Sequence, residues 1–319
     1  MLAKNIAKET NFKSYNINKP YTKMYCPEYN SLLLLIKNNR TIVFYKCCIG
    51  HAVNEELKTV TFDEIYNAPD PYNYILEINK IFAKNHDFNL PKKYPYYCNN
   101  TSSCNYVNKK IEKLELCVTG CNLNCIKCLL EKTINHDSNN MYWYLMNVIK
   151  GHNLRSIKPT CNGEPFLQKT KMVDYICSLT PHDCRSFNLV TNGTLLTKDD
   201  IIKIAKCTKD NKIKLDISVS CDSLDENTYK TIHKNATSEM FHNVVNNIIL
   251  LKQYNLLCNV NIVIQPENMN SVLDDLKYWK DNNIPFRVFP IRFFSDRALK
   301  IKDIVKQIQE KYPNNYFEA

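Results

Sequence analysis

From residue 111 onward the apolar positions run in two alternating rhythms. Short runs of period two over Ile111–Cys117, Ser156–Cys161, Ser186–Asn192, Lys212–Ser220, Cys258–Gln265 and Phe286–Phe293 read as six strands. Between them, segments near 139–150, 167–179, 198–207, 237–254 and 270–282 repeat every three to four residues and read as helices. Thr197 and Ser238 stand just ahead of acidic residues as N-caps. Strand–helix alternation predicts a parallel sheet built from βα units. A partial (β/α)6 barrel and an open doubly wound sheet both satisfy it.

The fourth of these strands separates the two. Ile213, Leu215, Ile217 and Val219 share one side, and Lys214, Asp216, Ser218 and Ser220 share the other. A parallel strand covered by helices on both sides is apolar throughout. A polar side therefore points to a watery or ligand-filled lumen. The fifth strand repeats the pattern, with Val260, Ile262 and Ile264 opposite Asn259, Asn261 and Gln265. An exposed edge would explain one such strand but not two neighbours. The expected fold class is α/β, a partial (β/α)6 TIM-like barrel around a polar ligand.

Residues 1–107 follow another pattern. A hairpin, SLLLLIKNNRTIVFYKCC, turns at Asn38-Asn39, and a helical stretch lies near 62–85. Cys26, Cys47, Cys48, Cys98 and Cys104 punctuate the segment. It reads as a small cysteine-rich α+β domain ahead of a barrel over 108–295, with an amphipathic C-terminal helix over 296–319.

Composition adds the chemistry. A chain of 319 residues has room for about two domains. The longest aliphatic run, Leu32 to Ile36, is far short of the ~20 residues a membrane span needs. With no apolar signal segment at the start, a cytoplasmic protein is expected. Fifteen cysteines in that setting favour metal or redox chemistry over disulfides. Cys177, Cys184, Cys207 and Cys258 read as small core residues. The net charge of +10 is spread as single lysines, which permits an acidic partner but forms no nucleic-acid tract. Glycine occurs only five times. Gly120, Gly163 and Gly193 sit beside Cys121, before Glu164 and after Asn192, where positive φ or close ligand approach is the natural reason to keep glycine.

Cys121-Asn-Leu-Asn-Cys125-Ile-Lys-Cys128 directly follows the first of the six strands. Loops at that end of a (β/α) barrel carry its chemistry. Three thiolates in one loop can hold three corners of a [4Fe–4S] cluster and leave one iron open. A structural zinc site would take its fourth ligand from Cys117 or His136. The seven histidines form no spaced cluster.

These residues carry a resemblance. Cys121, Cys125 and Cys128 match the CxxxCxxC signature of the radical S-adenosylmethionine (SAM) superfamily. Asn162-Gly163-Glu164-Pro165 resembles its GGEP motif, and Thr191-Asn192-Gly193-Thr194-Leu195-Leu196 its TNGTLL strand end. Ser218-Val-Ser220-Cys-Asp222 with Glu226-Asn-Thr-Tyr229 resembles its fourth-strand segment. The resemblance implies a SAM-binding [4Fe–4S] cluster on the three cysteines, which serve the catalysis. It implies that the Asn162-Gly163-Glu164 turn receives the SAM amino group. Ser218, Ser220 and Asp222 would hold the ribose hydroxyls, with Asn192 beside them, and a flavodoxin or ferredoxin type donor would supply electrons. Lys127 stands where the family often has an aromatic, and Asn162 replaces the first glycine of GGEP, in a turn asparagine tolerates. Cys161 and Cys221, near the strand ends, are candidate hydrogen-atom donors.

Cys26-Pro27, the hairpin, Cys47-Cys48 and Thr61-Phe-Asp-Glu-Ile-Tyr66-Asn67 resemble the SPASM or twitch segment of such enzymes, placed here before the barrel. This implies an auxiliary [4Fe–4S] cluster on Cys26, Cys98, Cys104 and one of Cys47 or Cys48, with Cys47 preferred. Zinc on the same four residues is the alternative. The implied function is peptide or protein modification by maturation, crosslinking or epimerisation. Its rivals are a small-molecule, sugar or RNA substrate, and a non-enzymatic zinc-stabilised binding module, which leaves the strand-end motifs unexplained.

Overall fold

The computed structural model describes residues 31–36, 40–45, 58–85, 111–117, 120–128, 136–159, 163–291 and 295–316. Strands β1 (Ser31–Ile36) and β2 (Thr41–Tyr45) pair antiparallel as the expected hairpin, and β3 (Lys58–Thr61) adds to β2. Helices α1 (Phe62–Tyr66) and α2 (Pro71–Asn85) follow. The alternating half comprises β4 (Lys113–Cys117), α3 (His136–Val148), β5 (Leu154–Lys158), α4 (Lys169–Cys177), β6 (Cys184–Thr191), α5 (Lys198–Asp210) and β7 (Lys214–Ser220). It continues through α6 (Glu226–Ile232), α7 (Ser238–Gln253), β8 (Leu257–Ile264), α8 (Val272–Asp281) and β9 (Phe286–Pro290), and ends in α9 (Ser295–Lys300) and α10 (Lys302–Lys311).

All described strands join one open sheet in the order β3-β2-β1-β4-β5-β6-β7-β8-β9. The six strands of the alternating half are parallel to their neighbours. The fold is thus mixed α/β, with β4 to β9 stepping in sequence order as βα units should.

The hairpin does not form a sheet of its own. β1 lies parallel beside β4, with Leu32 opposite Leu114 and Leu34 opposite Leu116. Its uninterrupted aliphatic run is the reason. Leu32, Leu33 and Leu34 are all fully buried, as a strand covered on both faces requires, and an isolated hairpin would leave one of those faces wet. The expected boundary at 107/108 falls outside the described residues.

The two-faced strands form as expected. On β7, Leu215, Ile217 and Val219 are buried while Asp216, Ser218 and Ser220 are half-buried on the lumen side. On β8, Val260, Ile262 and Ile264 are buried, and so are the polar Asn259 and, just past the strand, Gln265. Register sets Asn188 beside Asp216, Ser218 beside Asn259 and Ser220 beside Asn261. The lumen is polar across three adjacent strands.

Thr197 caps α5 through a capping box with Asp200. Thr237 caps α7, one residue ahead of the expected Ser238, which becomes the first helical residue. Two of the four cysteines read as core behave otherwise: Cys177 and Cys207 form a disulfide between the adjacent helices α4 and α5, with Cα atoms 5.0 Å apart. Cys258 is half-buried. Cys184 is a core residue, and burial pushes its thiol up to about 12. Among the described residues no helix is long and apolar enough to cross a membrane.

Candidate active site

The cysteine loop is clasped from both sides by backbone. Gly120 takes φ +112°, a conformation open to glycine, and bridges in parallel to Gly163. The Glu164 N–H donates to Gly120 O at 2.9 Å, so the loop after β4 is hooked to the turn after β5. On the other side Cys125 bridges antiparallel to His233, and Ile126 N–H donates to Ile232 O at 2.9 Å. Asn235 closes the clasp: its Oδ1 accepts from Asn124 N–H (2.5 Å) and its Nδ2 donates to Asn122 O (2.6 Å).

Cys121, Cys125 and Cys128 are each half-buried. Cys121 Sγ accepts from Leu123 N–H (3.4 Å) and from Asn192 Nδ2 (3.6 Å). Asn192 Nδ2 also donates to Asn122 Oδ1 (2.8 Å), and Asn122 Nδ2 to Thr194 Oγ1 (2.8 Å), which ties the loop to the end of β6. Among the described residues no group of three His, Cys, Asp or Glu side chains gathers around a single ion position. A [4Fe–4S] cluster makes a different demand, one thiolate for each of three irons. Three partly exposed thiols on one backbone-held loop fit that donor set.

Glu164 is 2% exposed and works inward rather than toward the lumen. Its carboxylate accepts from Thr191 Oγ1 (2.7 Å), Asn192 N–H (2.7 Å) and Phe166 N–H (3.0 Å), fixing the turn after β5 against the end of β6. Burial pushes its pKa up to about 7 against the pull of those donors. With the folded value above the unfolded 4.5, the folded chain binds the proton more tightly. The associated stability is complete below pH 4.5 and is lost as pH rises through 7. At ~1.36 kcal/mol per unit the loss is about 3 kcal/mol. Glu164→Gln should flatten this dependence. Urea unfolding at pH 5 and pH 8 checks it, and identical pH slopes for variant and wild type would refute it.

At the end of β6, Gly193 is held where a side chain has no room: a Cβ there would stand 2.9 Å from Val219 Cγ1. Asn247 Nδ2, fully engaged from α7, donates to Gly193 O and Leu196 O (2.9 and 2.8 Å) and freezes the turn. Asn192, half-buried, is thereby presented to the cysteine loop. Ser218 and Ser220 face the lumen beside it.

Asp222, expected with Ser218 and Ser220 on the lumen face, is fully buried instead. Its Oδ1 accepts from Val263 N–H at 2.7 Å, and its Oδ2 pairs with Lys127 Nζ and lies 3.3 Å from His233 Nε2. Burial alone raises this carboxyl, but Lys127 and then His233 outweigh it and hold it well below the usual carboxylate range. Lys127, in the place of an aromatic, is thus an ion-pair partner that pins the loop. Cys221 is also corrected: it is buried on the helix-covered side of the sheet, its thiol donating to Ser223 O at 3.4 Å, and burial raises its pKa. It does not face the lumen.

Asn162, Cys161, Cys26, Cys47, Cys48, Cys98 and Cys104 lie outside the described residues. The residues the sequence did not announce are His233, Asn122, Asn235 and Asn268. Asn268 Nδ2 donates to Asp222 O (2.7 Å) and Val263 O (2.9 Å), locking β7 to β8 beneath the site.

No protein-family model matches the chain, and no curated protein does. Solved structures resemble it. Native anSMEcpe with bound AdoMet and the Cp18Cys peptide is 20% identical over 63% of this chain and 61% of its own, with a TM-score of 0.42. Streptococcus suis SuiB bound to S-adenosylmethionine is 15% identical over 79% and 57%, with a TM-score of 0.49. Methylornithine synthase (PylB) is 10% identical over 80% and 74%, with a TM-score of 0.41. The chain spans about three fifths of the length of the first two. None of these likenesses assigns a role to a residue of this chain.

Proposed function

We propose that this chain is a radical SAM enzyme, with Cys121, Cys125 and Cys128 as ligands of a [4Fe–4S] cluster and a peptide or protein as substrate. One observation carries the reading. The three-thiol loop, the Gly163-Glu164 turn and the Asn192-Gly193 turn follow β4, β5 and β6, and Ser218–Ser220 end β7, in order on four consecutively paired parallel strands. Carboxyl ends of parallel strands are where such folds bind ligands. A zinc-stabilised module gives no reason for the last three segments.

The chemistry that the cluster and SAM supply together is one-electron reductive cleavage of SAM and removal of a hydrogen atom from substrate. The chain's part is positioning and exclusion of water. Three loop thiolates leave one iron without a protein ligand. The Asn162–Glu164 backbone turn would accept the SAM amino group, and Ser218 and Ser220 would hold the ribose hydroxyls, with Asn192 as a further candidate. Asp222 drops out of that set because its oxygens are already taken. Cys26, Cys98, Cys104 and Cys47 or Cys48 hold an auxiliary cluster, and a flavodoxin or ferredoxin type protein delivers electrons. The peptide substrate rests on the N-terminal cysteine pattern, whose bearers commonly modify peptides.

The test is anaerobic reconstitution with iron and zinc quantified, followed by incubation with SAM and dithionite. Brown, iron-loaded protein that forms 5′-deoxyadenosine is the expected result. Colourless protein holding zinc and forming none would overturn the reading.

A further inference from the structure

We propose that His233 is a positioning residue that donates a hydrogen bond to the Cys125 thiolate and so raises the reduction potential of the cluster; the inference rests on the reading above. His233 Nδ1 lies 2.9 Å from Cys125 Sγ. The contact is built by backbone as well as by side-chain rotamers. Cys125 and His233 are paired as an antiparallel bridge, with Ile126 N–H to Ile232 O (2.9 Å) and Lys234 N–H to Asn124 O (3.3 Å) on either side.

The ring is fixed on its other edges too. Nε2 lies 3.3 Å from Asp222 Oδ2, and that carboxylate is itself held by Val263 N–H and Lys127. The Tyr229 ring packs on the imidazole with centroids 4.3 Å apart. His233 is 2% exposed, so little water competes for the sulfur at this contact.

A cluster-bound thiolate carries no proton, so the ring nitrogen can bond to it only by donating. An N–H dipole aimed at the sulfur stabilises the reduced cluster, which carries one more negative charge, more than the oxidised one. The low dielectric of a buried site strengthens that preference. Partners that hold a ligand in place tune the metal as well as orient it.

The test uses reconstituted wild type, His233→Gln and His233→Leu. The SAM-binding cluster is identified by the change in its EPR spectrum when SAM is added. In wild type labelled with nitrogen-15 histidine, pulsed EPR of that reduced cluster should resolve coupling to a ring nitrogen. Its absence from a fully loaded cluster overturns the proposal without any substitution. In redox titrations His233→Leu should shift the midpoint to more negative potential, and His233→Gln, which keeps an N–H donor, should recover part of the shift. Equal midpoints in all three proteins overturn it. Wild type that takes up iron and cleaves SAM but lacks the coupling, with His233→Leu at the same midpoint, refutes the role of His233 alone. Wild type that takes up no iron refutes the functional reading beneath it.

Discussion

Cys121, Cys125 and Cys128 replaced together by alanine should bring 5′-deoxyadenosine formation down to that of an enzyme-free control. The structure makes this a clean experiment. The loop that carries the thiols is held by Gly120 to Gly163, Ile126 to Ile232 and Asn235 to Asn122, none of which needs sulfur. The variant should therefore keep its circular dichroism spectrum, though losing the Cys125 contact to the buried His233 should lower its unfolding midpoint. Metal binding in a small cysteine-rich segment is often folding free energy, but here β4 and its neighbours are anchored in one hydrophobic core. Iron content adds a second reading. If the N-terminal cysteines hold a cluster of their own, about half the iron should remain, since each [4Fe–4S] cluster carries the same number of irons. Undiminished 5′-deoxyadenosine from a folded variant would sink the assignment of these thiols.

The barrel half was legible because its constraints are local. Period-two and period-3.6 runs located β4 to β9 and the helices α3, α4, α5, α7 and α8 but missed the short α6, and Ser218 and Ser220 already marked a polar lumen face. The hairpin was legible as a hairpin but not in its place. Nothing local says that a Leu32–Ile36 run seeks a parallel neighbour eighty residues on; only burial on both faces demands it. The Cys177–Cys207 disulfide was hidden for the same reason, because it depends on how α4 and α5 lie against each other.

At the site, side chains named from motif order divide by direction. Ser218, Ser220 and Asn192 reach the lumen side, whereas Glu164, Asp222 and Cys221 turn inward. Strand parity could have flagged Cys221, which falls on the same side as Ile217 and Val219. It could not have flagged Asp222: the backbone pairing to β8 runs one residue past β7, to Cys221, whose N–H donates to Asn261 O, and beyond that alternation no longer governs direction. His233 had no signal at all. Its meaning comes from the clasp against Cys125, more than a hundred residues earlier in the chain.

Asp222→Ala should be the most damaging single change to the fold of the site. In the native chain one carboxylate with no solvent exposure serves two groups, Val263 N–H on Oδ1 and Lys127 on Oδ2, and His233 Nε2 lies 3.3 Å from Oδ2. Removing it leaves the Lys127 ammonium, with 17% of its side chain exposed, facing a vacated pocket, and leaves the Val263 N–H without its acceptor. Breaking a buried pair from one side costs about 3–5 kcal/mol, because the surviving charge has lost its partner but not its desolvation. Asp222→Asn keeps an acceptor for Val263 and should cost less. Adding Lys127→Met to Asp222→Ala should return part of the loss, since the stranded charge goes with it. Urea unfolding of the single and double variants reads all three terms. The loop should also loosen, so that reconstituted Asp222→Ala holds iron less firmly against a chelator than wild type does. If Asp222→Ala unfolds within about 1 kcal/mol of wild type, the range of an ordinary surface change, the buried carboxylate is not what holds the cysteine loop to the strand ends.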